Sequence, residues 1–369
     1  NKTSVEDSVQ WGSRDAVILG KDGETVYEGR NLEFPRDWSD IAVRVVASKY
    51  FYRGDDKKNP VEKSVRKLTH RVADAITREG VQQGLFSEGK AHDFYEDLSY
   101  LVLNQAMSFN SPVWFNVGLY NQYGVREKKE SKRSSHWALV NGKFTNVIDA
   151  YERPQGSACF IQSIEDTMES ILEHAKKEGM LFKYGSGTGT NFSTLRGINE
   201  PLSGGGVASG ELSFLRIYDI LAGRVQSGGI TRRAAKMVIT DDDHPDLTRF
   251  IQWKVNEEKK ALWLSVIPEW APRGSRDLDS EAYKTVAGQN GNNSVRVTDE
   301  FMKAALNGGS WSLNFRTGNR HPKEVEIPLN QYRDDRYLPD KRFIKKVTNK
   351  RKIVDPQEVL EHIARAAYL

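Results

Sequence analysis

Apolar residues recur along this chain at two spacings, and their order predicts alternating strands and helices. The clearest pattern lies in residues 157–243. Ser157-Ala158-Cys159-Phe160-Ile161 is a short apolar run of strand character. Ser163 with Asp166 three residues later predicts a capped helix start. Met168, Ile171, Leu172 and Ala175 then fall at i, i+3, i+4 and i+7 on one face, and Gly179 is the expected stop. The glycine-rich Tyr184–Asn191 reads as a tight turn. A second cluster, Gly204-Gly205-Gly206, leads into a helix striped by Phe214, Ile217, Tyr218, Leu221 and Val225. That helix breaks at Ser227-Gly228-Gly229. Thr231-Arg232-Arg233 and the strand-like Met237-Val238-Ile239 follow.

The flanks are simpler. Ala16–Leu19 and Thr25–Tyr27 around Asp22-Gly23 predict a hairpin. Asp37 or Ser39 can cap a helix with Ile41, Val45 and Val46 inward. Val61, Val65, Leu68, Val72 and Ile76 predict a second helix ending at Gly80, and Phe94, Leu98 and Leu101 begin a third. Residues 1–119 therefore read as a mainly helical domain behind a small hairpin, and residues 120–156 as a connection. After the central stretch, Asp243-His244-Pro245-Asp246 starts a helix with proline in its first turn and Leu247, Phe250 and Ile251 inward. Residues 256–290 read as a loop-rich excursion. Signals resume at Ser294–Val297, Thr298–Leu306 and Trp311–Phe315. A last helix starts at Asp355-Pro356, carries Val359, Leu360 and Ile363, and runs to Leu369 without a stop signal. Strand and helix in alternation argue an α/β domain with a partly parallel sheet over residues 157–369.

Composition narrows the function. With 369 residues, 38% hydrophobic and 28% charged, the chain can bury a sizeable core. No apolar run approaches membrane-span length, so no membrane role is expected. A net charge of +4 over this length does not argue for nucleic-acid binding. The single cysteine excludes an internal disulfide framework and suits a reducing cytoplasm. The mixed-charge run from Arg126 to Arg133 reads as solvated surface.

Few residues stand out by themselves. Cys159 in an apolar run is ordinarily a small buried hydrophobe. Gly185, Gly187 and Gly189 approach a dinucleotide fingerprint, but Thr190 sits where Gly-x-Gly-x-x-Gly needs its third glycine. Asp166 at a helix start is ordinarily a dipole partner, Arg196 a surface cation and Ser111 a turn residue. The seven histidines are scattered without metal-ligand spacing. Three glycine-rich stretches between amphipathic elements, two trailed by arginine, do suggest backbone brought close to a phosphate or nucleotide.

Taken together, Ser157–Ile171, Tyr184–Arg196 and Ser227–Met237 closely resemble the large catalytic subunit of ribonucleotide reductase, and its adenosylcobalamin-dependent class II branch fits best. Asn110–Asn116 and Asn292–Phe301 carry the same resemblance. It implies that residues 157–369 form the first part of a ten-stranded α/β barrel. It also implies that Cys159 is one member of a redox dithiol and that Ser111, Ala158, Cys159 and Gly187 contact substrate. Asp166, Arg196, Gly228, Gly229 and Arg232 match an allosteric site for a deoxynucleoside triphosphate or ATP. The family's radical cysteine belongs beyond residue 369, so the chain is expected to be an N-terminal portion. The implied partners are a ribonucleoside di- or triphosphate, a thioredoxin-like reductant, a complementing C-terminal segment and a second copy in a homodimer. The implied cofactor is adenosylcobalamin. The alternative is a catalytically incomplete fragment that binds nucleotide and dimerises.

Overall fold

A computed structural model describes residues 4–20, 23–54, 61–126, 136–140, 142–147, 149–225, 236–267, 269–270, 280–318, 323–328 and 344–368. The chain divides into two compact units, residues 1–158 and 159–369.

The first unit begins with α1 (Val5–Ser8) and an antiparallel hairpin of β1 (Trp11–Leu19) and β2 (Thr25–Pro35). Helices α2 (Asp40–Lys49), α3 (Val65–Gln82), α4 (Glu88–Leu103), α5 (Ser111–Asn116) and α6 (Leu119–Tyr123) follow. Ser39 caps α2, its hydroxyl accepting from the Ala42 amide. The buried face of α2 is Val43 and Ala47, whereas Ile41 and Val45 are exposed. The inward face expected from sequence is therefore rotated. Leu68 and Val72 of α3 do face the core, with Phe34, Trp38 and Trp114. That helix passes through Gly80, where a side-chain carbon would lie 2.4 Å from the Phe86 ring. Glycine there admits a neighbour and does not end the helix. The fully buried Arg71 donates to Glu62 at 2.7 Å and to the Trp114 carbonyl at 2.9 Å, fixing α5 and its first residue, Ser111. The stretch expected as a connection contains a second hairpin, β3 (His136–Val140) with β4 (Lys143–Val147).

The second unit consists of β5 (Cys159–Gln162), α7 (Met168–Lys183), β6 (Gly187–Asn191), α8 (Glu211–Arg224), β7 (Lys236–Asp241), α9 (Leu247–Leu264), α10 (Glu281–Lys284), β8 (Gly291–Arg296) and α11 (Asp299–Leu306), largely strand and helix in alternation. Strands β5-β6-β7-β8 form a parallel sheet in chain order. Four further elements, β9 (Trp311–Asn314), β10 (Glu326–Ile327), β11 (Ile344–Thr348) and β12 (Arg351–Val354), make an antiparallel sheet ordered β10-β11-β12-β9, and α12 (Pro356–Tyr368) follows.

Several local expectations fail for physical reasons. Ser163 and Asp166 lie outside α7, whose cap is Thr167 accepting from the Ser170 amide. Gly179 does not stop α7, which runs on to Lys183; a side-chain carbon there would lie at ordinary contact distance, 3.6 Å, from Leu221 of α8. Gly187–Asn191 is a strand between two others and not a turn. Likewise α9 continues through residues expected to be loop, and Pro245 precedes its cap residue Asp246. The inward positions Leu247, Phe250 and Ile251 are buried as expected.

Candidate functional site

The parallel sheet has two unlike faces. Register partners on parallel strands share a face, and successive residues alternate between faces. Thr188, Thr190, Lys236, Val238 and Thr240 lie on one face and are buried. Ile171, Leu215, Tyr218 and Phe250 from α7, α8 and α9 share a core with Val238. The opposite face carries Cys159 and Ile161 of β5, Gly187 and Gly189 of β6, Met237 of β7 and Asn292 of β8. Cys159, Ile161 and Met237 are exposed there. The glycines form a floor between the flanking side chains: a carbon on Gly189 would stand 3.1 Å from Ile161 Cδ1. At the strand ends this face turns polar, with Asp241 accepting from Asn191 at 2.8 Å and from Arg296 at 2.7 Å.

The structure therefore brings Cys159 and Gly187 together as direct register partners. Ala158 immediately precedes Cys159. Ser111 opens α5 in the first unit, its hydroxyl 3.2 Å from the Tyr50 hydroxyl. Asp166 and Arg196 meet as an ion pair, Arg196 Nε donating to Asp166 Oδ2 at 2.5 Å, both side chains partly buried. Gly228, Gly229 and Arg232 lie outside the described residues. Among the described residues no group of three or more metal-ligating side chains could hold a metal ion, and no described helix is long and apolar enough to cross a membrane.

Behind the open face lies a buried polar network that the sequence reading missed. Lys236 Nζ donates to Glu178 Oε2 at 2.8 Å, and Thr188 Oγ1 donates to Glu178 Oε1 at 2.8 Å. The same ammonium lies 4.3 Å from the Tyr218 ring centroid, and the Tyr218 hydroxyl donates to the Ile171 carbonyl at 2.7 Å. Burial lowers the Lys236 pKa, opposed by Glu178. His174 pairs with Thr190 Oγ1 at 2.9 Å, and burial, with Lys236 adding to it, pulls its pKa down to about 4. The signal was available. Ile171, His174, Glu178 and Phe182 are spaced i, i+3, i+7 and i+11, so the inward stripe of α7 is partly polar.

A second buried group sits where α8 and α9 begin. His244 Nε2 donates to the Leu195 carbonyl at 2.8 Å, and its Nδ1 accepts from the Asp246 amide at 3.1 Å, which fixes a neutral imidazole. Burial lowers its pKa to about 4. Glu211 Oε2 stands 3.7 Å away without a hydrogen-bond partner, and burial, then the nearby Asp246, raises the Glu211 pKa well above the ordinary range.

The second unit thus has helices on one face of a parallel sheet and an exposed thiol beside a glycine strand on the other. Residues 157–369 match the model of the ribonucleotide reductase barrel domain. Residues 13–105 match the model of class II vitamin B12-dependent ribonucleotide reductase. The chain belongs to the ribonucleotide reductase family, with its first unit of the class II type. A vitamin B12-dependent ribonucleotide reductase of Rhodopirellula baltica is 47% identical over 295 residues, covering 80% of this chain and 28% of that protein. One from Streptomyces coelicolor is 42% identical over 322 residues, covering 87% of this chain and 30% of that protein. A vitamin B12-dependent ribonucleoside-diphosphate reductase of Thermoplasma acidophilum is 28% identical over 245 residues, covering 59% and 31%. The chain thus spans less than a third of the length of these relatives.

Proposed function

We propose that this chain is the substrate-positioning and effector-reading part of an adenosylcobalamin-dependent ribonucleotide reductase. In the complete enzyme a ribonucleoside di- or triphosphate loses its 2′-hydroxyl as water. Two thiols become a disulfide, which balances the two electrons consumed. Cys159 is one thiol, and the second comes from a complementing segment, since the chain has one cysteine. A thioredoxin-like reductant restores the pair. The observation that carries this reading is the exposed Cys159 beside Gly187 on the open sheet face.

Each part of the chain has a role in this reading. Gly187 lets a ribose approach the thiol, and Ala158 and Ser111 contribute further substrate contacts. Asp166 and Arg196 receive a deoxynucleoside triphosphate or ATP, arginine facing the phosphates by charge-assisted bonds. Adenosylcobalamin supplies the radical chemistry when bound. The thiol, glycine, thioether and amide groups of the open face suit a ribose and are not a cobalt donor set, so no step here runs through the cofactor. Helices α7 and α8 pack together and leave Met168, Leu172, Ile217 and Ile220 exposed, an apolar strip suited to a second copy. The working compartment is one that keeps Cys159 reduced.

The test is turnover. The 369-residue chain alone, with adenosylcobalamin and a dithiol, should yield no deoxynucleotide, because the second thiol is not in it. Supplied with the complementing segment it should turn over, and Cys159→Ser should abolish turnover driven by a thioredoxin-like reductant. Full multiple turnover by the complemented Cys159→Ser protein would return this residue to a packing role and remove the reading.

A further inference from the structure

A buried ion pair is weak evidence for stability. Taking two charges out of water costs about as much as their attraction returns, and a well-packed apolar pair would fill the same space. Lys236 and Glu178 are such a pair. Their side chains are 2% and 0% exposed, and Lys236 Nζ donates to Glu178 Oε2 at 2.8 Å. Their place in the sheet supplies a reason that stability does not.

Glu178 reaches from α7 to the sheet with both oxygens engaged. Thr188 Oγ1 donates to Oε1 at 2.8 Å, while Lys236 holds Oε2. Thr188 and Lys236 are themselves register partners on β6 and β7, so one carboxylate bridges two adjacent strands at the same level. Successive strand residues point to opposite faces. Each anchor therefore stands next to a group on the open face: Thr188 follows Gly187, the register partner of Cys159, and Lys236 precedes Met237. Tyr218 braces this clamp. Its ring centroid lies 4.3 Å from Lys236 Nζ, and its hydroxyl donates to the Ile171 carbonyl of α7 at 2.7 Å. Charge-assisted hydrogen bonds are short and directed, as apolar contacts are not. The clamp holds β6 at one height over α7.

We propose that Glu178 is a positioning residue for ribonucleotide reduction, acting through Thr188 and Lys236 to set the height of Gly187 beside the Cys159 thiol. The proposal rests on the reading of Cys159 and Gly187 as the substrate face. Glu178 itself lies on the helix side of the sheet and touches no substrate.

The experiment is steady-state kinetics of the complemented enzyme beside urea unfolding. Glu178→Leu with Lys236→Met removes both charges and should keep most of the parent's stability. Its kcat/KM should nonetheless fall about tenfold or more, chiefly in kcat, because the ribose is misplaced while substrate contacts outside this face are untouched. Thr188→Val cuts one tie at nearly constant volume and should lower kcat in the same direction. Thr188→Ser keeps the hydroxyl and should hold kcat within about threefold of the parent. Thr190→Val is the control: Thr190 lies on the same strand and face, its hydroxyl 2.9 Å from His174 Nε2. Its loss should cost similar stability and leave kcat within about threefold. The threonine series decides even if the double variant does not fold. A stable double variant with parent kcat, or equal kcat losses in Thr188→Val and Thr190→Val, would overturn the proposal. Cys159→Ser, measured in parallel, separates the two readings. If it abolishes turnover while the clamp variants match the parent, the clamp alone fails; if it turns over fully, the substrate face and the clamp fail together.

Discussion

Cys159 and Gly187 are register partners on adjacent parallel strands, on the sheet face opposite the α7–α9 core. A thiol that must meet a ribose needs clearance beside it, and glycine is the residue that grants it. Gly187→Val should therefore obstruct substrate while leaving the thiol itself reachable. In the complemented enzyme kcat/KM should fall at least about tenfold, a loss of roughly 1.4 kcal/mol of transition-state binding. Alkylation of Cys159 by iodoacetamide should proceed at close to the parent rate. Unchanged kinetics would mean that the substrate lies away from this pair.

Arg196 is held by Asp166, and the proposed effector role can be tested on this pair. Arginine bonded to phosphate contributes roughly 1.5–3 kcal/mol, so Arg196→Ala should weaken dATP, dGTP and dTTP alike by about tenfold to a hundredfold. Asp166→Ala removes the partner that aims the guanidinium and should weaken all three, with room for discrimination if the carboxylate also reads sugar or base. Arg365, on the exposed surface of α12, is the control and should cost almost nothing. Calorimetric titration decides it. Equal affinities for the parent and Arg196→Ala would remove this residue from the effector site.

The strands and helices of the second unit were largely legible because apolar runs and turn residues follow one another there without conflict. Cys159–Ile161, Met237–Ile239 and Leu247–Ile251 behaved as their patterns predict. Glycine misled twice. In Gly187–Asn191 it lies in a central strand, and at Gly179 inside a helix beside Leu221 of α8; a lone sequence shows neither neighbour. Periodicity misled at Met168, Leu172 and Ile217, which are apolar but exposed. An apolar stripe reports that a surface avoids water and leaves open which partner covers it. The Cys159–Gly187 pairing needed the strand register, and the Asp166–Arg196 pair joins residues thirty apart across a fold.

Lys236 and Glu178 form a buried pair, and removing one member should be costly. Lys236→Met leaves the Glu178 carboxylate with Thr188 as its remaining hydrogen-bond donor and should destabilise the chain by about 3–5 kcal/mol. Replacing both, as Lys236→Met with Glu178→Leu, should recover much of the loss, because no uncompensated charge remains. Urea unfolding of the parent, the single variant and the double variant measures both. A single variant as stable as its parent would show that this pair contributes little.

The exposed strip on α7 and α8 predicts self-association. Leu172→Asp and Ile220→Asp place charge on that strip without entering the core, so each should shift a homodimer to monomer with little change in unfolding midpoint. Sedimentation with and without dATP reads the outcome. A parent that stays monomeric at every concentration, with and without effector, would remove the interface.

Glu211 should be protonated in the folded chain at a pH where it is ionised when unfolded. A raised folded pKa contributes stability that is fully present below the ordinary carboxylate value of 4.5 and is lost as pH rises towards the folded pKa. His174 and His244 act in the opposite sense. Their folded pKa values near 4 lie below the ordinary 6.5, so they cost stability as pH falls from about 6.5 towards 4. Between about pH 4.5 and 6.5 the two histidines make stability rise with pH and Glu211 makes it fall. Glu211→Gln removes the opposing contribution and keeps the contact with Thr240, so stability should rise more steeply with pH in that variant. The advantage of Glu211→Gln over the parent should accordingly be small near pH 4.5 and grow as the pH rises. A stability difference that stays flat across this range in urea titrations would show Glu211 ionised in the folded state, with His244 as its charged partner at 3.7 Å.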